Sequence, residues 1–337
     1  MPPSIDYAVP GPLTTLAAVD PAALDGAGTD PVEICRPVAG LVIQPEDAQA
    51  LDLAAERFAT NQIRRADELV RHLLALDPAP VTVPRAPERR IVGTCRHFAV
   101  LSCALLRHRG IAARVRCGFA TYFQPGQGLD HWVTEYRDRD GGPWVRIDSE
   151  VLGSTLVTCP ADLRPGEFLT GGEAWTGFRR GEIDDSRFGV PGTENWGAAE
   201  IRGNAVKDLA ALNKVETLPW DEWGRMTEAY EGRTGPDYDE LLDTVAAAAI
   251  RRHYAEDSEP PARQVIGEPG YQPPVRRKAA TGNDTIEHGE APAGEGPQED
   301  TSYYRGFASL HDQVRRADTR PGHNIMPRQP GNGQRWP

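Results

Sequence analysis

The sequence predicts an α+β domain, on three observations: a cysteine-bearing apolar helix, an alternating strand directly after it, and a strand–turn–strand pattern after that. In the first, residues 93–110 (GTCRHFAVLSCALLRHRG), Phe98, Leu101, Leu105 and Leu106 recur at helical spacing behind Cys95, and Gly110 closes the run. The second, residues 111–123 (IAARVRCGFATYF), sets Ala113, Val115, Cys117 and Phe119 against Arg114, Arg116 and Gly118 on opposite faces, which is the two-residue period of a strand. The third is HWVTEYR at 131–137 and WVRID at 144–148, joined by the turn-forming DRDGGP. A buried helix carrying a cysteine, packed on an antiparallel sheet, is the expected core.

The remaining elements are read outward from that core. Residues 1–44 are rich in Pro, Ala and Gly, with one strand-like fragment around 38–43, and are expected to wrap over the surface of a domain spanning 45–255. From Pro45 the pattern turns helical, as two helices or one broken helix, with Ile63, Leu69, Val70, Leu73 and Leu74 forming one stripe. A proline-rich connector at 78–89 then leads to Gly93, which allows a turn before the cysteine. Residues 152–200, Gly-rich and aromatic, read as a long ordered loop or lid-like insert. Helices are expected within 204–254: one capped by Asn204 and ended by Pro219, another over 237–254 with Leu241, Leu242, Val245 and Ile250 inward. From Glu256 to Pro337 apolar residues become sparse, so a disordered tail is expected, with one amphipathic island at 303–316.

Composition narrows the function classes. Lys and Arg total 37 against 49 Asp and Glu, a net charge of −12, and no basic tract is long enough to follow a phosphate backbone, so nucleic acid is not an expected partner. The N-terminus lacks a basic, then apolar leader and no long apolar run occurs, so a cytoplasmic protein without membrane contact is expected. Five scattered cysteines, Cys35, Cys95, Cys103, Cys117 and Cys159, contain no CxxC pair, which argues against a disulfide framework and against a zinc ribbon. No cofactor is expected.

The chemistry concentrates in three residues. Cys95 stands at a helix start, where free N–H groups and a partial positive charge favour a thiolate and a developing oxyanion. His131 opens the following strand and Asp148 ends the next, supplying a base and an orienting acid for the thiol. The midpoint of His131 and Asp148 falls inside the DRDGGP turn, so the two can be cross-strand neighbours, on one face only if the pairing sum is odd. His97 points about 200° around the helix from Cys95, a poor place for the base. Cys103 lies about 12 Å along the helix from Cys95, too far for a disulfide. Arg96, Arg107, Arg109, Arg114 and Arg116 either pair with local acids or form a basic patch suited to a carboxylate, a phosphopantetheine arm or an acidic carrier.

The runs GTCRHFAVLSCALLRHRGIAARVRCGF, DHWVTEY and WVRIDSE, covering roughly residues 91–150, resemble the core of the transglutaminase-like superfamily. The resemblance implies a papain/transglutaminase-like fold, with Cys95 as nucleophile, His131 as general base and acid, and Asp148 as orienting carboxylate. It also implies acyl transfer through a Cys acyl-enzyme, giving amide formation, transamidation or hydrolysis. The acyl donor would be an amide or thioester, free or carrier-bound, and the acceptor an amine or water. Large animal members hold the oxyanion with a tryptophan upstream of the cysteine, whereas every Trp here follows Cys95. The Cys95 amide and a side chain such as Gln62 are the candidate donors instead. Calcium dependence is not implied, since no clustered acidic motif occurs. The competing reading is a non-enzymatic domain of the same fold whose tail recruits a partner. Oligomeric state is not legible.

Overall fold

The computed structural model describes residues 5–26, 28–137 and 142–254; the tail from residue 256, its amphipathic island and most of the DRDGGP turn lie outside them. In chain order the elements are α1 (Pro31–Cys35), β1 (Val42–Ile43), α2 (Pro45–Ala50), α3 (Ala66–Leu76), β2 (Ile91–Val92), α4 (Cys95–His108), β3 (Ala112–Ala120), β4 (Gly128–Arg137), β5 (Val145–Ile147), β6 (Phe168–Thr170), α5 (Gly171–Arg179), β7 (Phe188–Gly189), α6 (Ala198–Leu212), α7 (Met226–Tyr230) and α8 (Pro236–Tyr254). The main sheet runs β5-β4-β3-β6 with antiparallel pairing, and β7 joins β4 in parallel. A separate parallel pair, β1 with β2, sits beside the start of α4 and aligns Ile43 with Val92.

The sheet is buried on both faces, which explains why its arginines are not surface residues. Thr134 donates from Oγ1 to the Ala99 carbonyl of α4 at 2.9 Å. Its neighbour Glu135 turns the other way and accepts from Arg116, which in turn holds Asp208 of α6. On the α4 side, Leu69 and Leu73 of α3, Leu101 and Leu106 of α4, and Val115 of β3 form one core. On the other side Trp175, Ile201, Leu209, Leu242 and Val245 form a second. Each such fully buried side chain contributes about 1.5–3 kcal/mol of hydrophobic stabilisation.

Several expectations change. The segment before Pro45 does more than wrap the surface: Leu16, Val19, Ile34, Val38 and Leu41 belong to the α4-side core, and Tyr7 Oη donates to the Leu212 carbonyl at 2.8 Å. Single apolar anchors scattered among prolines and glycines leave no periodic trace. The expected loop at 152–200 contains β6, α5 and β7, because Thr170 and Glu173 form a reciprocal cap that starts α5 directly from the strand. Helix α6 begins at Ala198 behind Gly197, so Asn204 lies mid-helix and buried; its amide reaches the Gly118 carbonyl at 3.2 Å and Asp130 Oδ1 at 2.7 Å. That helix ends at Leu212, where Lys214 takes a left-handed backbone (φ 62°), well before Pro219.

Gly118 is where β3 passes closest to β6. A Cβ there would stand 2.0 Å from the Leu169 carbonyl oxygen, inside any real contact. Since Gly118 lies opposite His131 on one side and Thr170 on the other, Gly118→Ala is expected to lower stability by about 1–3 kcal/mol through overpacking. A urea midpoint equal to that of the wild type would show that the strands can part without cost.

Candidate active site

Helix α4 presents its first residue, Cys95, because three neighbours fix its N-terminus. The backbone N–H of Thr94 donates to His97 Nδ1 at 3.0 Å, and the His97 N–H returns to the Thr94 carbonyl at 2.8 Å. This locks His97 against the turn, and a Cβ at residue 93 would lie 2.6 Å from its ring, so Gly93 is required. His97 is fully buried, and burial with the adjacent Arg96 charge pushes its pKa down to about 3, so it is neutral and structural. Arg96, also buried, reaches the carbonyls of Ile63, Arg64, Glu216 and Thr217, tying the helix start to two loops. The N–H groups of the first turn lie at the thiol, as helix geometry dictates.

Cys95, His131 and Asp148 come together from α4, β4 and the residue after β5. Thr134 pairs with Ile147, Glu135 with Arg146 and Tyr136 with Val145. The pairing sum is therefore odd, and continuing it sets Asp148 opposite Val133, diagonal to His131 on the same face. His131 Nε2 lies 2.8 Å from Asp148 Oδ2, and the Cys95 thiol stands near enough to the imidazole for each to shift the other's titration. Tyr122 Oη also donates to Asp148 Oδ2, and the Glu150 N–H donates to Oδ1 at 3.0 Å, so both oxygens are occupied. Phe123 packs edge-on against the imidazole, ring centroids 4.9 Å apart.

Burial disfavours the charged form of each group, but the interactions decide the outcome. Burial alone would lower the His131 pKa; the Asp148 carboxylate and the Cys95 thiol raise it well above the ordinary imidazole range. Asp148 stays below the usual carboxylate range, since His131, Tyr122 and the Glu150 amide outweigh its desolvation. Burial lifts the Cys95 thiol above its ordinary value although His131 pulls it down, so a thiolate is favoured there only as one half of an ion pair with the imidazolium. The other buried cysteines have no imidazole. Burial drives Cys35 and Cys103 to about 12 and Cys117 well above normal, whereas Cys159 is half-buried.

Other expectations resolve differently. Gln62 is exposed and its Oε1 accepts from Trp220 Nε1 at 3.2 Å. The arginines form no basic patch beside the thiol: Arg107 binds Thr14 and Glu216, Arg114 binds Glu135, and Arg116 binds Glu135 and Asp208, all inside the fold. Three side chains near the site escaped the sequence reading. Tyr122 reads as packing but bonds Asp148. Glu150 stands two residues beyond Asp148, a spacing that puts both on one side of an extended chain. Gln44 leaves no local signal, because only the β1–β2 pairing brings it beside Gly93.

Cys95, His131 and Asp148 thus lie together, and comparisons with known proteins bear on the domain that carries them. Residues 59–149 match the family model described as the transglutaminase-like superfamily, so the chain contains a transglutaminase-like domain. Among curated proteins none matches. A crystal structure from Cytophaga hutchinsonii, provisionally described as a cysteine protease, is similar at 18% identity and a TM-score of 0.29, covering 47% of this chain. The match spans 44% of that protein, less than half its length. The fold is a mixed arrangement of helices and a largely antiparallel sheet, and the family-model match over residues 59–149 supports, at family level, a cysteine-dependent enzyme. No helix among the described residues is long and apolar enough to cross a membrane.

Proposed function

We propose that the protein is an acyl-transfer enzyme in which Cys95 is the nucleophile, His131 the general base and acid, and Asp148 the orienting carboxylate. The observation that carries this reading is the buried 2.8 Å contact of His131 with Asp148 beside the buried Cys95 thiol. In the first half-reaction the Cys95 sulfur attacks an amide or thioester carbonyl, and the N–H groups of the α4 start receive the oxyanion. As the C–N or C–S bond breaks, the proton held by His131 passes to the leaving amine or thiol. A water or amine then attacks the thioester, giving its proton to His131, and the thiol is released with its proton restored. Asp148 stays ionised throughout and holds the imidazolium.

The test uses iodoacetamide at pH 6 on the full chain. Cys95 is expected to be alkylated faster than the half-buried Cys159, despite being only 7% exposed, because the His131 imidazolium is a partner for its thiolate that offsets the desolvation. Cys95→Ala is expected to abolish turnover in a screen of thioesters and Gln-peptides. Labelling of Cys159 ahead of Cys95, or full turnover by Cys95→Ala, would sink the proposal.

A further inference from the structure

The wall around the Cys95 thiol is acidic. Asp148 and Glu150 approach from the end of β5, Asp130 from β4 and Asp47 from α2, each acting on Cys95, on His131 or on one another. Against them stands the imidazole of His131; Arg96, next to Cys95 in the chain, gives its guanidinium to the carbonyls of Glu216, Ile63 and Arg64. Within that wall one polar atom is unfilled. Glu150 Oε1 accepts from Gln44 Nε2 at 2.7 Å, which fixes the carboxyl group, but Oε2 is shut off from solvent and has no hydrogen-bond partner among the described residues. A buried acceptor without a donor is costly, by more than a typical hydrogen bond contributes, so it calls for a ligand. A molecule that enters far enough to meet Cys95 can supply that donor, and that molecule is the substrate.

We propose that Glu150 is a specificity-determining residue whose Oε2 accepts a hydrogen bond from a protonated amine carried by the substrate beside the carbonyl that Cys95 attacks. The site thereby takes amine-bearing, cationic substrates and disfavours the carboxylate or phosphate-bearing ones that a basic patch would have suited. This rests on Cys95 being the nucleophile. Glu150 is placed for it: its backbone N–H bonds Asp148, its side chain is anchored by Gln44, and it lies close enough to act electrostatically on both Cys95 and His131. Burial, then the nearby Asp148 and Asp47 carboxylates, lift the Glu150 carboxyl to about 7 against the pull of His131 and Gln44, and Tyr122, just beyond β3, and Cys95 of α4 act on it or feel its charge. An arriving ammonium supplies the countercharge this carboxyl lacks, and the charged hydrogen bond becomes stronger than a neutral one.

Charged thiol reagents test this without a known substrate. The full chain is treated separately with 2-aminoethyl, 2-sulfonatoethyl and neutral methyl methanethiosulfonate, and rates at Cys95 and Cys159 are read by peptide mass spectrometry. The cation-to-anion rate ratio cancels the thiolate fraction. At pH 8 the ratio at Cys95 is expected to exceed that at Cys159 by about tenfold, the scale of one charge-assisted hydrogen bond. Glu150→Gln, which keeps the shape, is expected to bring it down to the Cys159 value, and the neutral reagent's rate at Cys95, read in parallel, reports any change in thiolate fraction. In the wild type the ratio should climb from pH 6 to pH 8 as Glu150 ionises, because Asp148 remains ionised and His131 protonated across that range. That arm needs no variant. An unchanged ratio in Glu150→Gln, or a flat wild-type profile, overturns the assignment while leaving Cys95 as the nucleophile. A Cys95 inert to the neutral reagent overturns both, and the neutral rate tells the two failures apart.

Discussion

Asp148→Asn is expected to lower turnover on the order of 10³–10⁴-fold, the scale seen when an orienting carboxylate becomes an amide. The magnitude follows from the donors that surround this side chain. Asp148 Oδ2 accepts from both His131 Nε2 and Tyr122 Oη, and Oδ1 accepts from the Glu150 N–H. Three donors converge on a group that, as an amide, has only one oxygen. If the Asn oxygen replaces Oδ2, its NH₂ faces the Glu150 N–H; if it replaces Oδ1, its NH₂ faces both His131 and Tyr122. Either way donors collide, and the imidazolium loses the charge that raises its pKa. The second arrangement also turns the ring to the wrong tautomer. The sign of the pH effect follows: without a carboxylate the imidazolium gives up its proton at lower pH, so Cys95 alkylation at pH 6 should fall and recover only as the free thiol titrates. A rate profile against pH identical to the wild type would remove Asp148 from the mechanism.

The site was legible where chemistry and local pattern coincide. Cys95 at a helix start, and His131 and Asp148 on consecutive strands about one turn, are short-range relationships, and the odd register the sequence requires is the one that sets His131 and Asp148 diagonal on one face. What lay beyond short range was not legible. Gln44 reaches Glu150 across 106 residues of sequence. Tyr122 and Glu150 carry residue types that pack or solvate equally well, and only burial against Asp148 gives them a role. The same limit appears in the fold: α5 begins in the aromatic, glycine-rich stretch because a two-residue reciprocal cap outweighs poor helix formers, and Asn204, a residue type that suits a cap, is a buried bridge from α6 to β3. Arg114 and Arg116 show the reverse. Their alternation with Ala113, Val115 and Cys117 reads as one wet face, but the partners that bury it, Glu135 and Asp208, are one strand and one helix away.

That buried charge carries the second large effect. Glu135 is expected to be the most costly single carboxylate to remove: Glu135→Ala should lower stability by about 3–5 kcal/mol, the usual penalty for taking one partner from a buried ion pair. Its Oε2 accepts from Arg114 Nε at 2.7 Å and Arg116 Nη1 at 2.9 Å, and its Oε1 accepts from Arg146 Nε at 2.8 Å. These guanidinium groups are otherwise spread outward. Arg116 is held bidentately by Asp208 of α6, Arg146 reaches Glu173 of α5, and Arg114 lies over the Trp144 ring at 3.8 Å. Deleting Glu135 therefore leaves positive charge concentrated between the sheet and α6, where little solvent can screen it. The shape-preserving Glu135→Gln should cost less, because it keeps two acceptor directions while losing the charge. Urea denaturation of both variants measures the difference, and a Glu135→Ala midpoint equal to that of the wild type would refute the estimate. The consequence reaches the active site through the backbone. Glu135 stands four residues from His131 on β4 and opposite Arg146 on β5, two residues before Asp148. The ion network thus clamps the two strands whose register sets the 2.8 Å bond between His131 and Asp148. Loosening it should slow Cys95 alkylation at pH 6 in the folded fraction as well as lower stability.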